Sequence, residues 1–376
     1  MNKLKCLPQM EVVWGHDILK TVAASLGDYG IHRPMTFTVS FLESWHAEHL
    51  QPAIRDEVGV LSDLPPHVPD FAVQRGLQSC IERGAGSIVA VGGGSVLDAA
   101  KAVSWQHFVQ TGRYLPIAAF PTTLSGSEFS HYFGVTETDG PQKFKRSHAV
   151  RDTVPALVAI DPALVTGTPR HLLLSSAIKG IDHAVEGMRQ VGVDHPHAIL
   201  AAQGVARFFR VLESWPKQVE TREALERDLV SAADLLDLQL AAWQCYFYPA
   251  SVIYGLSHRI GHILGGTYGL PHSVTSCLTL APVIRACGDA YGDKLAIFAK
   301  ASAHGVRGQH AAALLADRIA GLVETLELPS RLRNLDFDRT RLPEVSALLK
   351  QNYPAEVGDL GEQADGKLDL LLESLW

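Results

Sequence analysis

Hydrophobic residues in the first 160 positions alternate between short continuous apolar runs and longer amphipathic stretches. Continuous runs of this length are typical of strands that are buried on both faces of a sheet. The predicted strands span 35–40, in which threonines separate the apolar residues, and 87–91, 115–120 and 155–161. Between them, residues 73–84 and 96–105 show the periodicity of amphipathic helices. This alternation predicts a parallel α/β sheet in the first part of the chain.

From residue 162 onward the pattern changes to consecutive helical segments with few strand signals. The predicted helices span 171–189, 197–215, 222–241, 250–264, 281–291 and 310–326. We therefore expect an α/β domain over residues 1–162 and an all-α domain over residues 163–376. Because ligands often bind between domains, the active site is expected in the cleft between the two halves.

Composition narrows the class of protein. The net charge is −7 and no basic run is present, which argues against a nucleic-acid partner. Apolar stretches are too short to span a membrane, and the N-terminal segment has no apolar core of a signal peptide. The five cysteines are scattered without a C-x-x-C pair, as expected for free thiols in a reducing cytoplasm. A cytoplasmic enzyme with a small-molecule substrate is the expectation.

A glycine-rich turn follows the second predicted strand. Gly92, Gly93 and Gly94 lead from that strand into a helix that begins near Ser95. Glycines allow a ligand to approach the backbone closely, and a helix N-terminus offers free N–H groups to a pyrophosphate. The spacing differs from G-x-G-x-x-G, so an ordinary Rossmann site is not implied.

A second polar loop, residues 121–128, follows the next strand and contains several hydroxyl groups. Hydroxyls at the carboxyl end of a strand can hydrogen-bond to the phosphate, ribose or base of a nucleotide. Because loops after consecutive parallel strands meet at one edge of the sheet, the two loops are expected to form one crevice.

Histidines form the most informative cluster in the second half. His258 and His262 are four residues apart, which places them on one face of a helix. A turn at Gly265 and Gly266, followed by a proline, is expected to bring His272 back to them, and His183 lies upstream. Imidazole is both a common metal ligand and a common acid–base group. The cluster therefore predicts a metal or catalytic site.

Four motifs occur in order along nearly the whole chain. They are GGGSxxDxxK at 92–101, PTTxxGSE at 121–128, HAVE at 183–186 and HxxxHxxGGxxxxPH at 258–272. Together they resemble the iron-containing alcohol dehydrogenase superfamily. The segments HVP at 67–69 and GVTE at 134–137 are similar to its maleylacetate reductase branch. The resemblance implies a dehydroquinate synthase-like fold, an NAD or NADP cofactor and a homodimer.

The resemblance also implies the cofactor-binding residues. They are Gly93, Gly94, Ser95 and Asp98 at the pyrophosphate, Thr122, Thr123 and Ser127 along the nucleotide, and Lys145 at a ribose. Members of the family that prefer NAD often have an acidic residue at the end of the strand predicted here at 35–40, where this chain has Ser40. A hydroxyl tolerates a 2′-phosphate better than a carboxylate does, so the sequence leaves the choice between NAD and NADP open.

His183, His258 and His272 match three metal ligands of the family, and His262 matches a histidine that assists proton transfer. The fourth ligand position, normally Asp and often an amide in maleylacetate reductases, is Lys179. An ammonium group cannot ligate a metal and repels a divalent cation. Three histidines and a water still suit zinc. The substitution nevertheless favours a site in which Lys179, rather than iron or zinc, supplies the positive charge.

The predicted function is therefore hydride transfer from NADH or NADPH to an activated C=C or C=O bond of a small oxo-acid-like substrate. Lys179, His258 and His272 would hold the developing negative charge, and His262, with His183, would manage the proton. Three alternatives stay open. They are a lyase, dehydratase or cyclase that uses Lys179 without net redox chemistry, a metal-dependent alcohol dehydrogenase, and a nucleotide-binding protein without catalytic activity.

Overall fold

A computed structural model describes residues 4–138, 144–298 and 308–376. Contacts within the chain divide it into two compact units. The first unit comprises Met1–Thr168 and Thr221–Leu240, and the second comprises Pro169–Glu220 and Ala241–Trp376. Residues 221–240, which the sequence pattern places in the all-α domain, therefore pack within the first unit.

The first unit is built on a six-stranded parallel sheet, as the alternation of strands and helices predicts. The strands of the chain are β1 (Glu11–Trp14), β2 (Pro34–Phe37), β3 (Gly59–Leu61), β4 (Ser87–Gly92), β5 (Ile117–Pro121), β6 (Tyr132–Glu137), β7 (Phe144–Ala149) and β8 (Leu157–Ile160). The sheet order is β1-β8-β5-β4-β2-β3, and β6 and β7 form a separate antiparallel pair. The four strands predicted from the sequence are confirmed as β2, β4, β5 and β8.

Helices cover the sheet and build the second unit. They are α1 (Leu19–Ala24), α2 (Ser40–His49), α3 (Asp70–Glu82), α4 (Gly94–Thr111), α5 (Pro162–Thr166), α6 (Arg170–Glu186), α7 (Pro196–Leu212), α8 (Thr221–Glu226), α9 (Ala232–Cys245), α10 (Leu256–Gly266), α11 (His272–Ala286), α12 (Gly288–Tyr291), α13 (Gly308–Thr325), α14 (Leu342–Asn352), α15 (Pro354–Val357) and α16 (Ala364–Leu375). In the second unit α11 packs against α6, α10, α13 and α16. The expected all-α character of this half is confirmed. Within the described residues, no helix combines the length and the apolar character that a membrane span requires.

The predicted helix over 222–241 is wrong, because two helices occupy this region. Helix α8 ends at Glu226, and Asp228 has a positive φ of 53°. The next helix starts at a reciprocal cap, in which Ser231 N donates to the Asp234 carboxylate and Asp234 N donates to Ser231 Oγ. The S-x-x-D spacing is the sequence signature of such a cap.

The predicted turn at Gly265 and Gly266 is also wrong, because α10 continues through both residues. The chain instead reverses after Thr267, where Gly269 has a φ of +74°. Glycines of α10 allow close packing on α11, since a Cβ at Gly261 would lie 2.8 Å from Thr275 Oγ1 and one at Gly265 would lie 3.3 Å from His272 Nδ1. These glycines therefore serve helix packing rather than chain reversal.

Candidate functional site

The glycine-rich turn leads directly from β4 into α4. Gly93 is the N-cap of this helix, and among the described residues no side chain caps its N-terminus. The first N–H groups of a helix lack partners within the helix, and the helix dipole favours an anion there. Gly94 is half-buried and Ser95 is exposed at the start of the helix. This end of α4 therefore has the chemistry of a phosphate-binding terminus.

The hydroxyl-rich loop lies against the glycine turn, as expected for adjacent parallel strands. Gly92 pairs with Pro121 in register, and Thr122 N donates to Gly92 O at 3.1 Å. A Cβ at Gly93 would lie only 2.9 Å from Thr123 Cγ2. The structure therefore brings Gly93, Gly94, Thr122 and Thr123 together at one edge of the sheet.

Asp98 and Ser127 make contacts that differ from the direct nucleotide contacts implied by the resemblance. Ser127 Oγ donates to Asp98 Oδ1 at 2.7 Å, and Gly134 N donates to Asp98 Oδ2 at 3.1 Å. The fully buried Lys101 donates to Ser127 O, Ser127 Oγ and Tyr132 O at 2.6, 2.8 and 2.9 Å. Both oxygens of Asp98 are thus engaged within the protein. Asp98 and Lys101 fix the position of the loop that carries Ser127.

The other two predicted cofactor residues lie in the same unit. Ser40 is exposed and begins α2, after the carboxyl end of β2, which is the neighbour of β4 in the sheet. Lys145 is on β7, and its side chain lies across Gly134, where a Cβ would overlap it. The position of Ser40 suits a contact with the sugar of a nucleotide held at the β4 edge, which stays a prediction.

Glu128, at the end of the hydroxyl-rich loop, is buried beside Lys101. Within the described residues its Oε2 has no hydrogen-bond partner. Burial raises the pKa of Glu128 to about 7, although the Lys101 charge opposes this shift. Burial likewise lowers the pKa of Lys101 to about 8, against the effect of the Asp98 and Glu128 charges.

Glu128→Gln is expected to change how stability depends on pH. Because the pKa of Glu128 is higher in the folded chain, its contribution to stability is present below pH 4.5 and is lost as pH rises through about 7. Between about pH 5 and pH 8, wild type should lose about 2–3 kcal/mol relative to Glu128→Gln. Chemical denaturation at both pH values measures this, with the exposed Glu226→Gln as control. Parallel profiles for wild type and Glu128→Gln would contradict it.

A cluster of charged and polar side chains in the second unit centres on α6. Lys179 Nζ forms an ion pair with Asp182 Oδ2 at 2.9 Å, one helical turn away. Ser276 Oγ on α11 donates to the same Asp182 oxygen at 2.7 Å. Burial raises the pKa of Asp182, but the Lys179 charge and these hydrogen bonds outweigh burial and hold the pKa below its ordinary value. Asp182 is therefore ionised and balances the Lys179 charge, a role that the sequence analysis missed.

Lys179 also contacts the histidine cluster. Its Nζ lies 2.9 Å from His258 Nδ1, and both residues are buried. Burial and the neighbouring Lys179 charge hold the pKa of His258 well below its ordinary value, so the ring is neutral near pH 7. A neutral ring that accepts a hydrogen bond at Nδ1 carries its proton on Nε2. His258 therefore presents an N–H donor rather than a lone pair at Nε2.

The four predicted histidines lie in one cluster. Ring centroids are 5.5 Å apart for His183 and His258, 4.5 Å for His258 and His262, and 5.5 Å for His262 and His272. His262 and His272 are half-buried, whereas His183 and His258 are buried. All five predicted catalytic side chains, Lys179 included, are thus brought together.

Tyrosines enclose the buried side of the cluster. The Tyr246 ring stacks on His183 with a centroid distance of 4.0 Å, and the Tyr254 ring stacks on His258 at 4.8 Å. Burial first, and the Lys179 charge second, lower the pKa of His183 well below its ordinary value. Within the described residues, His183 Nδ1 and Asp182 Oδ1 are buried without a hydrogen-bond partner. Two buried polar atoms of α6 are therefore unsatisfied within the described part of the chain.

The Glu186 side chain contacts the start of α10. His258 N donates to Glu186 Oε2 at 3.3 Å, and Tyr291 Oη donates to Glu186 Oε1. A Cβ at Gly255 would lie 2.8 Å from Glu186 Oε2, so only glycine fits here without displacement. Burial and the Asp182 charge raise the pKa of Glu186 to about 8. A protonated carboxyl group therefore holds the helix that carries His258 and His262.

Glu186→Ala is expected to lower the free energy of unfolding by about 2–4 kcal/mol, because it leaves a cavity and two buried donors without acceptors. Glu186→Gln keeps the volume and an acceptor oxygen, and should stay within about 1 kcal/mol of wild type. Urea denaturation at neutral pH distinguishes the two variants. Equal destabilisation by alanine and glutamine would show that an ionised carboxylate is required.

The arrangement does not fit a metal of the family type. No group of three or more His, Cys, Asp or Glu side chains in the described part of the chain is arranged to hold a metal ion. The acidic ligand position is taken by Lys179, whose Nζ bonds to His258 Nδ1, one of the histidines at a ligand position. His258 would have to lose both this bond and its Nε2 proton before it could ligate a metal through Nε2.

Fold and sequence together define the class of protein. The model for iron-containing alcohol dehydrogenases matches residues 8–162, and the model for the C-terminal part of the Fe-containing alcohol dehydrogenase family matches residues 173–355. The chain therefore belongs to the iron-containing alcohol dehydrogenase family and is an oxidoreductase.

Within this family the similarity points to the maleylacetate reductase-like branch. The maleylacetate reductase of Pseudomonas aeruginosa is 29% identical over 304 residues, which is 81% of each chain. The crystal structure of maleylacetate reductase from Rhizobium sp. strain MTP-10005 superposes with a TM-score of 0.77 and 21% identity, over 100% of this chain and 99% of that one. Sulfoacetaldehyde reductase from Bifidobacterium kashiwanohense, in complex with NAD+, gives a TM-score of 0.80 and 20% identity, over 100% and 99%. The two structures show a shared fold.

Proposed function

We propose that this protein transfers hydride from NADH or NADPH to an activated C=C or C=O bond of a small oxo acid without a metal. The observation that carries the proposal is the position of Lys179. Its Nζ contacts both Asp182 and His258, one of the clustered histidines, and it stands at the sequence position of the family's acidic metal ligand. A buried, fixed cation at this place can stabilise negative charge that develops on a substrate oxygen.

The cofactor would be held in the first unit. The uncapped N-terminus of α4, with Gly93, Gly94 and Ser95, suits the pyrophosphate, and Thr122 and Thr123 lie beside it. Asp98, Lys101 and Ser127 would act by holding the loop rather than by touching the nucleotide. When bound, the reduced nicotinamide supplies the hydride. The nucleotide complex of the sulfoacetaldehyde reductase, which shares this fold, supports a nicotinamide cofactor.

In the second unit, two hydrogen-bond donors would contact the substrate oxygen. The Lys179 ammonium has three N–H donors, and Asp182 and His258 account for two of them. The third N–H of Lys179 and the Nε2–H of His258 can both donate to an oxyanion. Because Asp182 is ionised and Ser276 orients it, the Lys179 ammonium is held rather than free to swing. Donors fixed in this way cost little reorganisation during the reaction.

Proton transfer would use the other histidines of the cluster. His262 is half-buried and its ring lies beside those of His258 and His272, so it can exchange protons with solvent. His183 has a free Nδ1 among the described residues and a lowered pKa, caused by burial and the Lys179 charge, which keeps it neutral at pH 7. We assign proton delivery to His262, and substrate contact to His183 and His272.

Cofactor oxidation tests this function. The purified protein is mixed with NADH or NADPH and with maleylacetate or related 2-oxo and 4-oxo acids, and nucleotide absorbance is followed. Oxidation that depends on the oxo acid supports the proposal. Failure to bind either nucleotide would overturn it. Substrate conversion without net nucleotide oxidation, together with borohydride labelling of Lys179, would instead establish the lyase alternative, in which the buried amine forms an imine.

The cellular compartment, the partners and the oligomeric state are also part of the proposal. All five cysteines are free thiols, which supports a reducing cytoplasm. The net charge of −7 supports a small-molecule substrate over nucleic acid, and a membrane is not expected as a partner. A homodimer is supported by the edge strand β1, where Trp14 is 52% exposed. Sedimentation of the purified protein tests the dimer.

A further inference from the structure

The cations on the three helices that carry the histidine cluster already have acidic partners. Helices α6, α10 and α11 lie wholly within the described residues, and four of their residues are lysine or arginine. Ion pairs with N···O distances of 3.5, 2.9, 2.9 and 2.7 Å join Arg170 to Glu327, Lys179 to Asp182, Arg259 to Glu356 and Arg285 to Asp317. Within these described helices, no Lys or Arg charge is therefore left without an acidic partner.

The segments that connect these helices beside the cluster are uncharged. Residues 241–255 run from the last turn of α9 to the N-cap of α10, and residues 267–271 connect α10 to α11. Neither segment contains Lys, Arg, Asp or Glu. The first segment supplies Tyr246 and Tyr254, whose rings stack on His183 and His258 at centroid distances of 4.0 and 4.8 Å. This side of the cluster is therefore aromatic rather than cationic.

Asp182 cancels the charge of Lys179. Lys179 Nζ lies 2.9 Å from both Asp182 Oδ2 and His258 Nδ1, and Ser276 Oγ donates to the same Asp182 oxygen. Burial raises the pKa of Asp182, but the Lys179 charge and the hydrogen bonds hold it below its ordinary value, so the pair has a net charge of zero. Lys179 can still donate a hydrogen bond to a substrate oxygen. A carboxylate that enters such a buried site loses its hydration without gaining the attraction of an uncompensated cation.

We propose that Asp182 sets the charge preference of this site, so that the substrate carries at most one carboxylate and has an apolar or aromatic group in place of a second. One carboxylate can stay partly hydrated beside His262 and His272, which are half-buried. A second would enter among buried side chains whose charges already cancel. The inference rests on the proposed function for the reaction and narrows its substrates from oxo acids in general to those with a single carboxylate.

The first experiment varies the charge of the substrate on the wild-type protein. The kcat/KM values with NADH or NADPH are compared for maleylacetate and its monomethyl esters, and for 2-oxoglutarate and 2-oxohexanoate. Each pair keeps the reacting group and differs by one negative charge. We expect the singly charged member to be favoured by about 10-fold or more, because the second carboxylate gives up hydration without gaining a cation.

The wild-type result separates this inference from the proposed function. Equal kcat/KM values within a pair, or a preference for the dicarboxylate, would overturn the inference while leaving hydride transfer intact. Protonated histidines of the cluster would then be the source of the missing positive charge. Wild type that binds neither nucleotide would instead refute the proposed function.

The second experiment removes the charge of Asp182. Asp182→Asn keeps the size of the side chain and an acceptor oxygen for Lys179, but Lys179 loses its counter-charge. We expect the ratio of kcat/KM for dicarboxylate over monocarboxylate to rise by about 10-fold, because an uncompensated cation attracts the additional carboxylate. A general loss of stability or activity affects both members of a pair and leaves this ratio unchanged.

Asp317→Asn is the matched control for this variant. It removes the exposed partner of Arg285 on α11, which is another of the four ion pairs, and should keep the wild-type ratio. A wild-type ratio in Asp182→Asn, or the same rise in Asp317→Asn, would overturn the role of Asp182 in substrate preference.

Discussion

Lys179→Met is expected to lower kcat/KM by about 10²–10³-fold, the loss typical of removing one fixed donor to an oxyanion. The loss should fall on kcat, because the donor matters most when negative charge develops on the substrate oxygen. Nucleotide affinity should stay unchanged, since Lys179 is not one of the predicted cofactor-binding residues. Steady-state kinetics together with nucleotide titration measure both effects.

Stability must be separated from catalysis in this variant. Lys179→Met leaves the buried Asp182 carboxylate without its cation, which is expected to cost about 3–5 kcal/mol of folding free energy. The double variant K179M/D182N removes both charges and should regain most of this stability while its kcat stays low. Lys294→Met, a half-buried lysine of the same unit that donates to Arg189 O, is the control. Wild-type kcat in the double variant would contradict the role of Lys179.

Lys179→Asp is expected to convert the cluster into a metal site. The variant supplies the acidic ligand of the family pattern beside His183, His258 and His272, and it removes the cation that repels a metal. It also releases His258 Nδ1, so the imidazole can carry its proton there and ligate through Nε2. We expect about one divalent ion per chain after incubation with Fe²⁺ or Zn²⁺, a typical stoichiometry for such a site. Elemental analysis after gel filtration measures it.

The controls distinguish the effect of adding an acidic ligand from the effect of removing the Lys179 charge. Lys179→Ala also removes the cation but provides only three histidines, so it should bind metal more weakly than Lys179→Asp. K179D/D182N removes the second carboxylate and should still bind metal. If Lys179→Ala and Lys179→Asp bound metal equally well, the charge of Lys179 alone would explain its effect, and the ligand pattern would be irrelevant.

The sequence predicted the strands and helices whose formation depends on residues close together in the chain. Strands β4 and β5 are buried on both faces and appear as continuous apolar runs, and α4 begins at its glycine turn as expected. Strands β1 and β3 have only 4 and 3 residues and half-exposed positions, so they gave no periodic signal. The hairpin of β6 and β7 depends on long-range pairing with the segment around Val68, which sequence patterns do not show.

The candidate site was predicted as a set of residue types but not as a network. Motif spacing placed Lys179 on one helical face with His183, and both lie in the cluster. The partner of Lys179 was overlooked, although Asp182 lies three residues away, which is also helical spacing. Glu186, Tyr291 and Gly255 come from distant segments, and only the packed helices show that they support His258. The sequence also does not show that Ser127 and Gly134 donate to the two Asp98 oxygens, and the assignment of Asp98 to the nucleotide stays a prediction.

The most direct test of a metal-free active site is turnover by the wild-type protein after its metal has been removed. The protein is treated with a chelator, its iron and zinc are quantified, and oxidation of NADH or NADPH by its oxo-acid substrate is measured on the same sample. An unchanged kcat in metal-free protein is the predicted result, because the Lys179 ammonium, held by Asp182, supplies the charge. Activity that falls with the metal content and returns on addition of Fe²⁺ or Zn²⁺ would contradict it.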